Sequence, residues 1–253
     1  MLSKAKIKLI QSLEQKKKRR EEKLFVAEGP KVVGDLLPYF TCQLIVATDT
    51  WLAKNPNIKA REIIEVTSEE LRKASFLKAP QEVLALFALP TDTTDPNVSS
   101  RELCLALDDV QDPGNLGTII RLADWFGIKH VYCSIGTTDA FSPKTVQASM
   151  GAVARVSVHY VNLADFLLAV KAAYPSVPFY GTFLDGNNIY HEQLSTNGII
   201  IMGNEGNGIS STIAQMVTHK LFIPNYPEGC TTSESLNVAI ATAITCAEFR
   251  RRG

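Results

Sequence analysis

Hydrophobic and polar positions follow two periods that alternate along most of the chain. Short apolar runs between polar or glycine-rich segments predict strands, and apolar residues three or four positions apart predict helices. Strands that alternate with helices form parallel sheets covered on both faces, so the part beyond residue 102 is predicted to have an α/β fold of this kind. The pattern there predicts strands at 103–107, 130–134, 155–161, 179–184, 199–202 and 221–223, and helices at 116–126, 143–150, 163–173, 209–217 and 235–251.

The N-terminal part has the same alternation on a smaller scale. It predicts helices at 3–22, 32–37 and 69–74 and strands at 24–29, 43–47 and 83–89. A polar stretch at 90–100 contains two prolines and has no periodicity, which is typical of a linker between domains. We therefore expect a domain at 1–92, a linker at 93–101 and a larger domain at 102–253.

Composition limits the class of protein. Of the 253 residues, 45% are hydrophobic and 21% are charged, as in ordinary globular proteins. No apolar run approaches the roughly 18 residues that a membrane-spanning helix needs. The five cysteines form no C-x-x-C pair, so neither a zinc site nor a disulfide framework is indicated, and a reducing cytoplasm fits best. The first residues lack the features of a secretory signal, and Glu14, Glu21 and Glu22 argue against an organellar presequence.

The formal net charge of zero conceals an uneven distribution. Residues 1–23 contain nine Lys or Arg against three Glu, so the remainder of the chain carries a net charge of −6. A basic segment on a slightly acidic body indicates a polyanionic partner such as a nucleic acid. A solvated helical face without a partner is the alternative interpretation.

Polar residues follow three of the predicted strands, where ligands collect in open α/β sheets. After strand 103–107, the loop 108–115 turns at Pro113-Gly114 and reaches Asn115, and Arg121 follows within a mostly apolar helix. Asn115 could simply cap that helix. Arg121 could equally be an ordinary surface arginine.

The second loop, 203–208, has three glycines in six residues and contains Glu205. Its spacing matches neither the dinucleotide-binding fingerprint nor the phosphate-binding loop. A carboxylate at the end of a buried strand needs partners to stay ionised, and Arg121 is the candidate partner. Turn geometry alone is the alternative explanation of the glycines.

The third loop follows Ile223-Pro224 and leads to Ser235-Leu236-Asn237. Ser235 is a reasonable cap for the helix 235–251. Asn237 is then a polar residue in the first turn of a helix whose other residues are mostly small or apolar.

Together these residues resemble a known family. Three segments resemble the three ordered motifs of the SpoU (TrmH-like) RNA ribose methyltransferases. They are Asp112-Pro113-x-Asn115-x-Gly117-x-x-x-Arg121, then Gly203-Asn204-Glu205-Gly206-x-Gly208, then Ile223-Pro224 with Ser235-Leu236-Asn237-Val238-Ala239. Ser149-Met150-Gly151-Ala152 resembles an intermediate family segment. The pattern from Arg19-Arg20 to Phe25-x-x-Glu28-Gly29 resembles the family's substrate-binding extension, which has a ribosomal-protein-like α/β fold.

The resemblance implies a C-terminal trefoil knot, an exception to unknotted chain connections. It also implies S-adenosylmethionine as cofactor, methylation of a ribose 2′-hydroxyl of RNA, no metal, and a homodimer formed near the final helix. Ribosomal RNA is favoured as the substrate because of the added N-terminal domain. The residues implied for cofactor binding, mostly through their backbone, are Thr182, Phe183, Leu184, Gly203, Asn204, Gly206, Ile223 and Leu236.

The same resemblance implies a catalytic group of five residues. A guanidinium stays protonated in proteins and is a poor base, so a positioning role with a nearby RNA phosphate is preferred for Arg121. Asn115 would orient Arg121 or the ribose, and Glu205 would hold Arg121. Ser235 and Asn237 would complete the pocket. The catalytic residues are Asn115, Arg121, Glu205, Ser235 and Asn237, and the expected RNA contacts are Lys16, Lys17, Lys18, Arg19, Arg20 and Lys23.

Three alternative functions are compatible with the sequence. A relative acting on transfer RNA would share the motifs. A non-catalytic RNA-binding or ribosome-assembly factor could have the same fold without binding S-adenosylmethionine. A nucleotide-dependent oxidoreductase would suit the α/β pattern but lacks the fingerprint glycines.

Overall fold

A computed structural model describes residues 1–91, 94–227, 230, 233 and 235–251. The chain packs as two compact units, one made of Met1–Thr91 with Asp139–Arg155 and the other of Asp92–Thr138 with Val156–Gly253. Residues 92 and 93, at the expected end of the first domain, lie outside the described residues, as do 228, 229, 231, 232 and 234 of the third loop. The expected domain boundaries stay a prediction.

The first unit contains a four-stranded sheet. Its strands are β1 (Leu24–Glu28), β2 (Cys42–Ala47), β3 (Ile63–Glu65) and β4 (Val83–Ala88), in the order β1-β4-β2-β3. Strand β4 runs antiparallel to both neighbours, and β2 and β3 are parallel. Its helices are α1 (Lys4–Ser12), α2 (Lys16–Glu22), α3 (Pro30–Leu36), α4 (Asp49–Lys54), α5 (Ser68–Ala74) and α7 (Pro143–Ser149), with a short 3-10 turn at Ala152–Ala154.

The single helix expected at 3–22 is wrong, because the structure has α1 and α2 there. Leu13 is fully buried, and the chain leaves the helical path at Gln15, whose backbone is extended. The short elements α4 and β3 were not predicted from the pattern. Strand β3 has only three residues, and Ile63 at its start is exposed, so no alternation marks it.

The second unit contains a six-stranded sheet in which all neighbouring strands are parallel, as predicted. The strands are β5 (Leu103–Leu107), β6 (His130–Ser134), β7 (Ser157–Val161), β8 (Phe179–Asn188), β9 (Gly198–Met202) and β10 (His219–Phe222), in the order β10-β8-β9-β5-β6-β7. The helices are α6 (Pro113–Trp125), α8 (Leu163–Ala173), α9 (Ser211–Ala214) and α10 (Val238–Arg251), with a 3-10 turn at Val98–Ser100.

The core of this sheet lies at β5 and β9, in which every residue is buried. Their continuous apolar sequences follow from burial on both faces. After β5 the chain builds β6 and β7 on one side and then returns to place β8, β9 and β10 on the other. The strand order therefore reverses next to β5, and ligands collect at such switch points.

Helices α6 and α10 run side by side in the same direction. Asn237, just before α10, bonds to Asn115 in the first turn of α6. At the other end, Arg250 Nε donates to the carbonyl of Phe126, which follows α6, at 2.7 Å. Two loops that are far apart in sequence are thereby brought together at the helix starts.

Several predicted bounds differ from the structure. Helix α9 has four residues where nine were expected at 209–217, and α10 begins at Val238, three residues later than expected. Strand β8 extends to Asn188, past the predicted end at 184. Residues 185–188 are Asp-Gly-Asn-Asn, residue types that are depleted in strands, so the sequence does not mark this end of β8. No helix in the described part of the chain is both long enough and apolar enough to cross a bilayer.

Candidate active site

A cavity of about 460 Å³ lies at the carboxyl ends of β8, β9 and β10. Its volume is within the range of about 300–1,000 Å³ that is usual for small-molecule sites. The residues that line it include all eight expected to bind the cofactor, together with two of the five expected to be catalytic. These are Thr182, Phe183, Leu184, Gly203, Asn204, Gly206, Ile223 and Leu236, and Glu205 and Ser235.

The loop after β9 is closed by Asn204. Its Oδ1 accepts hydrogen bonds from the amides of Gly206 and Asn207 at 2.9 and 3.0 Å, and its Nδ2 donates to the carbonyl of Asp109 at 2.7 Å. Its own amide and carbonyl pair with Gly208. Asn204 therefore acts within the loop through both its backbone and its side chain, although sequence reasoning expected its backbone to hold the cofactor.

Gly203 allows the chain to fold back on itself at this loop. A Cβ there would lie 2.2 Å from the carbonyl carbon of Gly208, so only glycine fits. The close approach leaves a groove formed by backbone beside apolar side chains such as Phe183, Leu236 and Val238. This combination suits a ligand with an aromatic part and several polar groups, as S-adenosylmethionine has.

Glu205 is held by donors from the first loop. Its carboxylate accepts from Asn115 Nδ2 at 3.0 Å and from the amides of Gln111 and Asp112 at 3.3 Å each. Partial burial acts to raise the pKa of Glu205, but the hydrogen bond from Asn115 and the backbone donors outweigh it, and the pKa is lowered. Glu205 is therefore ionised at neutral pH without an arginine partner.

Asn115 links Glu205 to Asn237. Its Oδ1 accepts from Asn237 Nδ2 at 3.0 Å while its Nδ2 bonds to Glu205. The cap of α6 is Asp112, whose Oδ1 accepts from the amide of Asn115 at 2.8 Å. The simple capping role considered for Asn115 is therefore wrong. We call the chain of side chains from Asn237 through Asn115 to Glu205 the amide relay.

Asn237 also starts α10. Its Oδ1 accepts from the amides of Ala239 at 3.0 Å and Ile240 at 3.3 Å, the arrangement of a helix cap. Ser235, the expected cap, lies two residues before this position and lines the cavity. Asn237 is therefore the cap of α10, and the exposed Ser235 lines the cavity.

Arg121 lies on the exposed side of α6 with Thr118, six residues after Asn115. Its expected ion pair with Glu205 does not form, and within the described part of the chain its side chain makes no hydrogen bond or salt bridge. Its guanidinium is thus presented to solvent on the helix that carries the amide relay.

Two acidic residues that sequence reasoning did not select support these loops. Asp108 is buried, and its carboxylate accepts from the amide of Ser210 at 2.7 Å, which ties the end of β5 to the start of α9. Asp109 has a φ of 62°, in the left-handed region, and its amide donates to Ser134 Oγ at 2.9 Å. The sequence signal that could have identified these two residues is a pair of adjacent carboxylates directly after a buried strand, because buried carboxylates need hydrogen-bonding or charged partners.

The expected RNA-binding residues in the first unit have different environments. Lys17, Arg20 and Lys23 are exposed, Lys16 is partly buried, and Lys18 pairs with Glu21 at 2.7 Å. Arg19 is only 2% exposed. It donates to the carbonyls of Leu13 and Glu14 and to Asp139, so the expected RNA contact by Arg19 is at odds with its burial.

Each of the two parts of the chain matches a known protein family. Residues 102–247 match the SpoU rRNA Methylase family, and residues 4–85 match the MRM3-like substrate binding domain. A 23S rRNA guanosine 2′-O-methyltransferase from Bacillus subtilis is 30% identical, over 97% of this chain and 96% of that protein.

Solved structures agree with these matches. A protein of the TrmH family from Porphyromonas gingivalis has a TM-score of 0.90 with 44% identity and full coverage of both chains. An AdoMet-bound rRNA methyltransferase from Sinorhizobium meliloti has a TM-score of 0.85 with 32% identity, covering 100% of this chain and 96% of that one. The chain belongs to the SpoU rRNA methylase family.

Proposed function

We propose that this protein transfers a methyl group from S-adenosylmethionine to a ribose 2′-hydroxyl of ribosomal RNA. The observation that carries the proposal is the cavity at the ends of β8, β9 and β10, which has Glu205 of the amide relay in its wall. The rRNA methyltransferases among the relatives favour ribosomal over transfer RNA. A cytoplasmic location is consistent with a ribosomal RNA substrate. The trefoil knot remains a prediction that rests on the family resemblance.

The cavity would hold the cofactor between apolar side chains and the backbone. Phe183, Leu184 and Leu236 supply apolar contacts, and the backbone of Gly203 and Gly206 can approach the ligand closely because neither has a side chain. When bound, the cofactor supplies an electrophilic methyl group on a sulfonium sulfur. Transfer then requires the ribose oxygen to lie in line with that methyl group while its proton leaves.

The ribose would be aligned by the residues around the relay. Arg121 extends from α6 with a permanent positive charge, which suits an RNA phosphate beside the target ribose. The relay keeps α6, the β9 loop and the start of α10 in a fixed arrangement, with Asn115 at its centre. Ser235 has a hydroxyl at the cavity wall that can bond to the ribose or the cofactor.

The test combines a map of methylation with one variant. Ribose methylation is mapped across total RNA from cells with and without the protein, and the site that disappears is then transcribed as substrate. Arg121→Ala is expected to reduce kcat by about 100-fold, the loss that misplacement of a reacting group by about 1 Å can cause, without changing S-adenosylmethionine affinity. Arg101→Ala, at another exposed arginine of the same unit, is the control. Near-normal turnover in Arg121→Ala would rule out this role.

The basic residues along α2 and at its C-terminal end are proposed to contact the RNA backbone. Lys16, Lys17, Lys18, Arg20 and Lys23 form this basic surface, in the unit whose sequence matches a substrate-binding domain. The triple change of Lys17, Arg20 and Lys23 to alanine should weaken RNA binding and flatten its dependence on salt. S-adenosylmethionine affinity should not change. An unchanged salt slope would count against the proposal.

We also propose a homodimer that uses α6 and α10. Trp125 at the end of α6 is 83% exposed and Ile240 on α10 is 53% exposed, which leaves large apolar side chains on two helices that pack together. Changing both to glutamate should convert a dimer to a monomer in sedimentation experiments. Leu168→Glu, at an exposed leucine of α8, is the matched control. A monomeric wild-type protein would contradict the proposal.

A further inference from the structure

Strand β8 contains a bulge beside the cavity. Gly181 pairs with Lys220 of β10, but the next pair joins Asn187 to Leu221, so residues 182–186 have no partner on β10. Three of them, Thr182, Phe183 and Leu184, line the cavity. We call this segment the 182–186 bulge.

The base of the bulge is closed by two glycines. A Cβ on Gly181 would lie 2.6 Å from Cε2 of Phe183, and a Cβ on Gly186 would lie 2.6 Å from the carbonyl carbon of Leu221. Neither contact fixes the middle of the bulge, where Leu184 is 72% exposed. The conformation of the cavity wall therefore depends on contacts made by the side chains next to Leu184.

Lys220 makes both of those contacts. Its Nζ donates to Asp185 Oδ2 at 2.9 Å and lies 4.8 Å from the centroid of the Phe183 ring. One ammonium group thus holds the residue on each side of Leu184, and it does so from β10, just before the register breaks. An ion pair and a cation–π contact at the same nitrogen restrict the bulge more than either would alone.

We propose that Lys220 is a positioning residue for cofactor binding, which acts through Asp185 and Phe183 to hold the 182–186 bulge in the conformation that accepts S-adenosylmethionine. This inference rests on the proposed function. Backbone contacts to a ligand require the backbone to be in place before binding, since ordering it on binding costs affinity. Lys220 itself touches neither ligand nor RNA in this role.

The test measures ligand affinity by calorimetry in the full-length protein. Lys220→Met keeps the length of the side chain and removes its charge, and it should weaken S-adenosylmethionine binding by about fivefold, the scale of one exposed ion pair with a cation–π contact. Asp185→Asn should weaken it less, and the double variant should be no weaker than Lys220→Met alone. Lys220→Arg should restore most of the affinity. Lys129→Met is the matched control, because Lys129 is also exposed and lies 3.9 Å from Glu102.

A second ligand separates positioning from direct contact. 5′-Methylthioadenosine lacks the carboxylate of the cofactor, so a positioning role predicts an equal fold loss for both ligands in Lys220→Met. A loss confined to S-adenosylmethionine would show that Lys220 binds the carboxylate, and a change only in the KM for RNA would show an RNA contact; either result overturns the inference. Unchanged affinity in Lys220→Met overturns it too. Failure of the wild-type protein to bind S-adenosylmethionine would overturn the proposed function as well.

Discussion

Arg19 and Arg20 are adjacent in sequence but have opposite environments. Arg20 is exposed, whereas Arg19 lies inside the first unit with its guanidinium bonded to Asp139 and two carbonyls. A buried charge with all its partners in place is tolerated, but removal of one partner leaves the other uncompensated. The two arginines therefore have separable roles in stability and RNA binding.

Arg19→Met should lower the free energy of unfolding by about 3–5 kcal/mol, because Asp139 loses its cation and the carbonyls of Leu13 and Glu14 lose a donor. Arg20→Met should change it by less than about 0.5 kcal/mol, as exposed substitutions usually do, while weakening RNA binding. Urea denaturation measures the first effect and RNA titration the second. Equal stability of the two variants would contradict the structural role of Arg19.

His130 is expected to make stability depend on pH. Its Nδ1 lies 3.2 Å from Nε2 of the buried His159. Burial, then the charge of His159 and that of Lys129, lower the pKa of His130, and Glu102 and Asp95 oppose the shift only in part. Because the pKa is lower in the folded state, the unfolded chain binds the proton first as the pH falls.

Stability should therefore be constant well above pH of about 6.5, the ordinary value for histidine, and decrease as the pH falls below it toward the folded-state pKa. His130→Gln should flatten this dependence. The measurement is the urea midpoint between about pH 7.5 and pH 5.5. If the slope is the same in wild type and variant, His130 is not its source.

At the level of elements, the start of α10 combines a local and a tertiary function in Asn237. The Oδ1 atom caps the helix, and the Nδ2 atom donates to Asn115 of α6. An aspartate can replace the first function but not the second, because it has no donor. This difference allows the cap and the amide relay to be tested separately.

Asn237→Asp should keep the melting temperature near that of wild type, since aspartate is an equally good cap. Its methyl transfer should fall, because a carboxylate next to Asn115 Oδ1 breaks the relay. Asn237→Ala should lose about 1 kcal/mol of stability as well as activity. Thermal melting and single-turnover transfer provide the two measurements. Full activity in Asn237→Asp would show that the relay is dispensable.

The same helix shows what the sequence could and could not predict. The apolar residues of β5 and β9 predicted both strands closely, because burial on two faces leaves an uninterrupted apolar run. The start of α10 was misplaced because Ser235 and Asn237 both satisfy the preference for a cap. Only the contact with Asn115, 122 positions away, selects Asn237. The loops of the site could be identified from their polar residues, but the partners within them could not.

At the scale of the whole chain, the segment 139–155 belongs with the N-terminal residues although it lies within the range that matches the methylase family. Phe141 packs on Phe25 with ring centroids 4.9 Å apart, and Asp139 pairs with Arg19. A Cβ on Gly151 would lie 2.6 Å from Asp35 Oδ2, so α3 and this segment approach closely. The hydrophobic pattern of a sequence assigns residues to domains in chain order, so it does not show that segment 139–155 packs with the N-terminal residues.

A fragment that begins at residue 94 should therefore be less stable than the full-length protein. It keeps the six-stranded sheet, but Phe141 loses the rings of Phe25 and Phe40, α7 loses the strand β1 that it packs against, and Asp139 loses Arg19. Removal of that cover should lead to protease cleavage within 139–155 and to aggregation at concentrations at which the full-length protein stays in solution.

Limited proteolysis with mass spectrometry locates the cleavage. The control is the same fragment with Phe141 and Val146 changed to serine and threonine, which should aggregate less because the exposed surface becomes more polar. Cleavage in that control should remain within 139–155, since the substitutions do not restore the missing partners. If the original fragment resists protease there and stays monodisperse, α7 folds without the N-terminal residues, and the contacts of Phe141 and Asp139 are not needed to hold it.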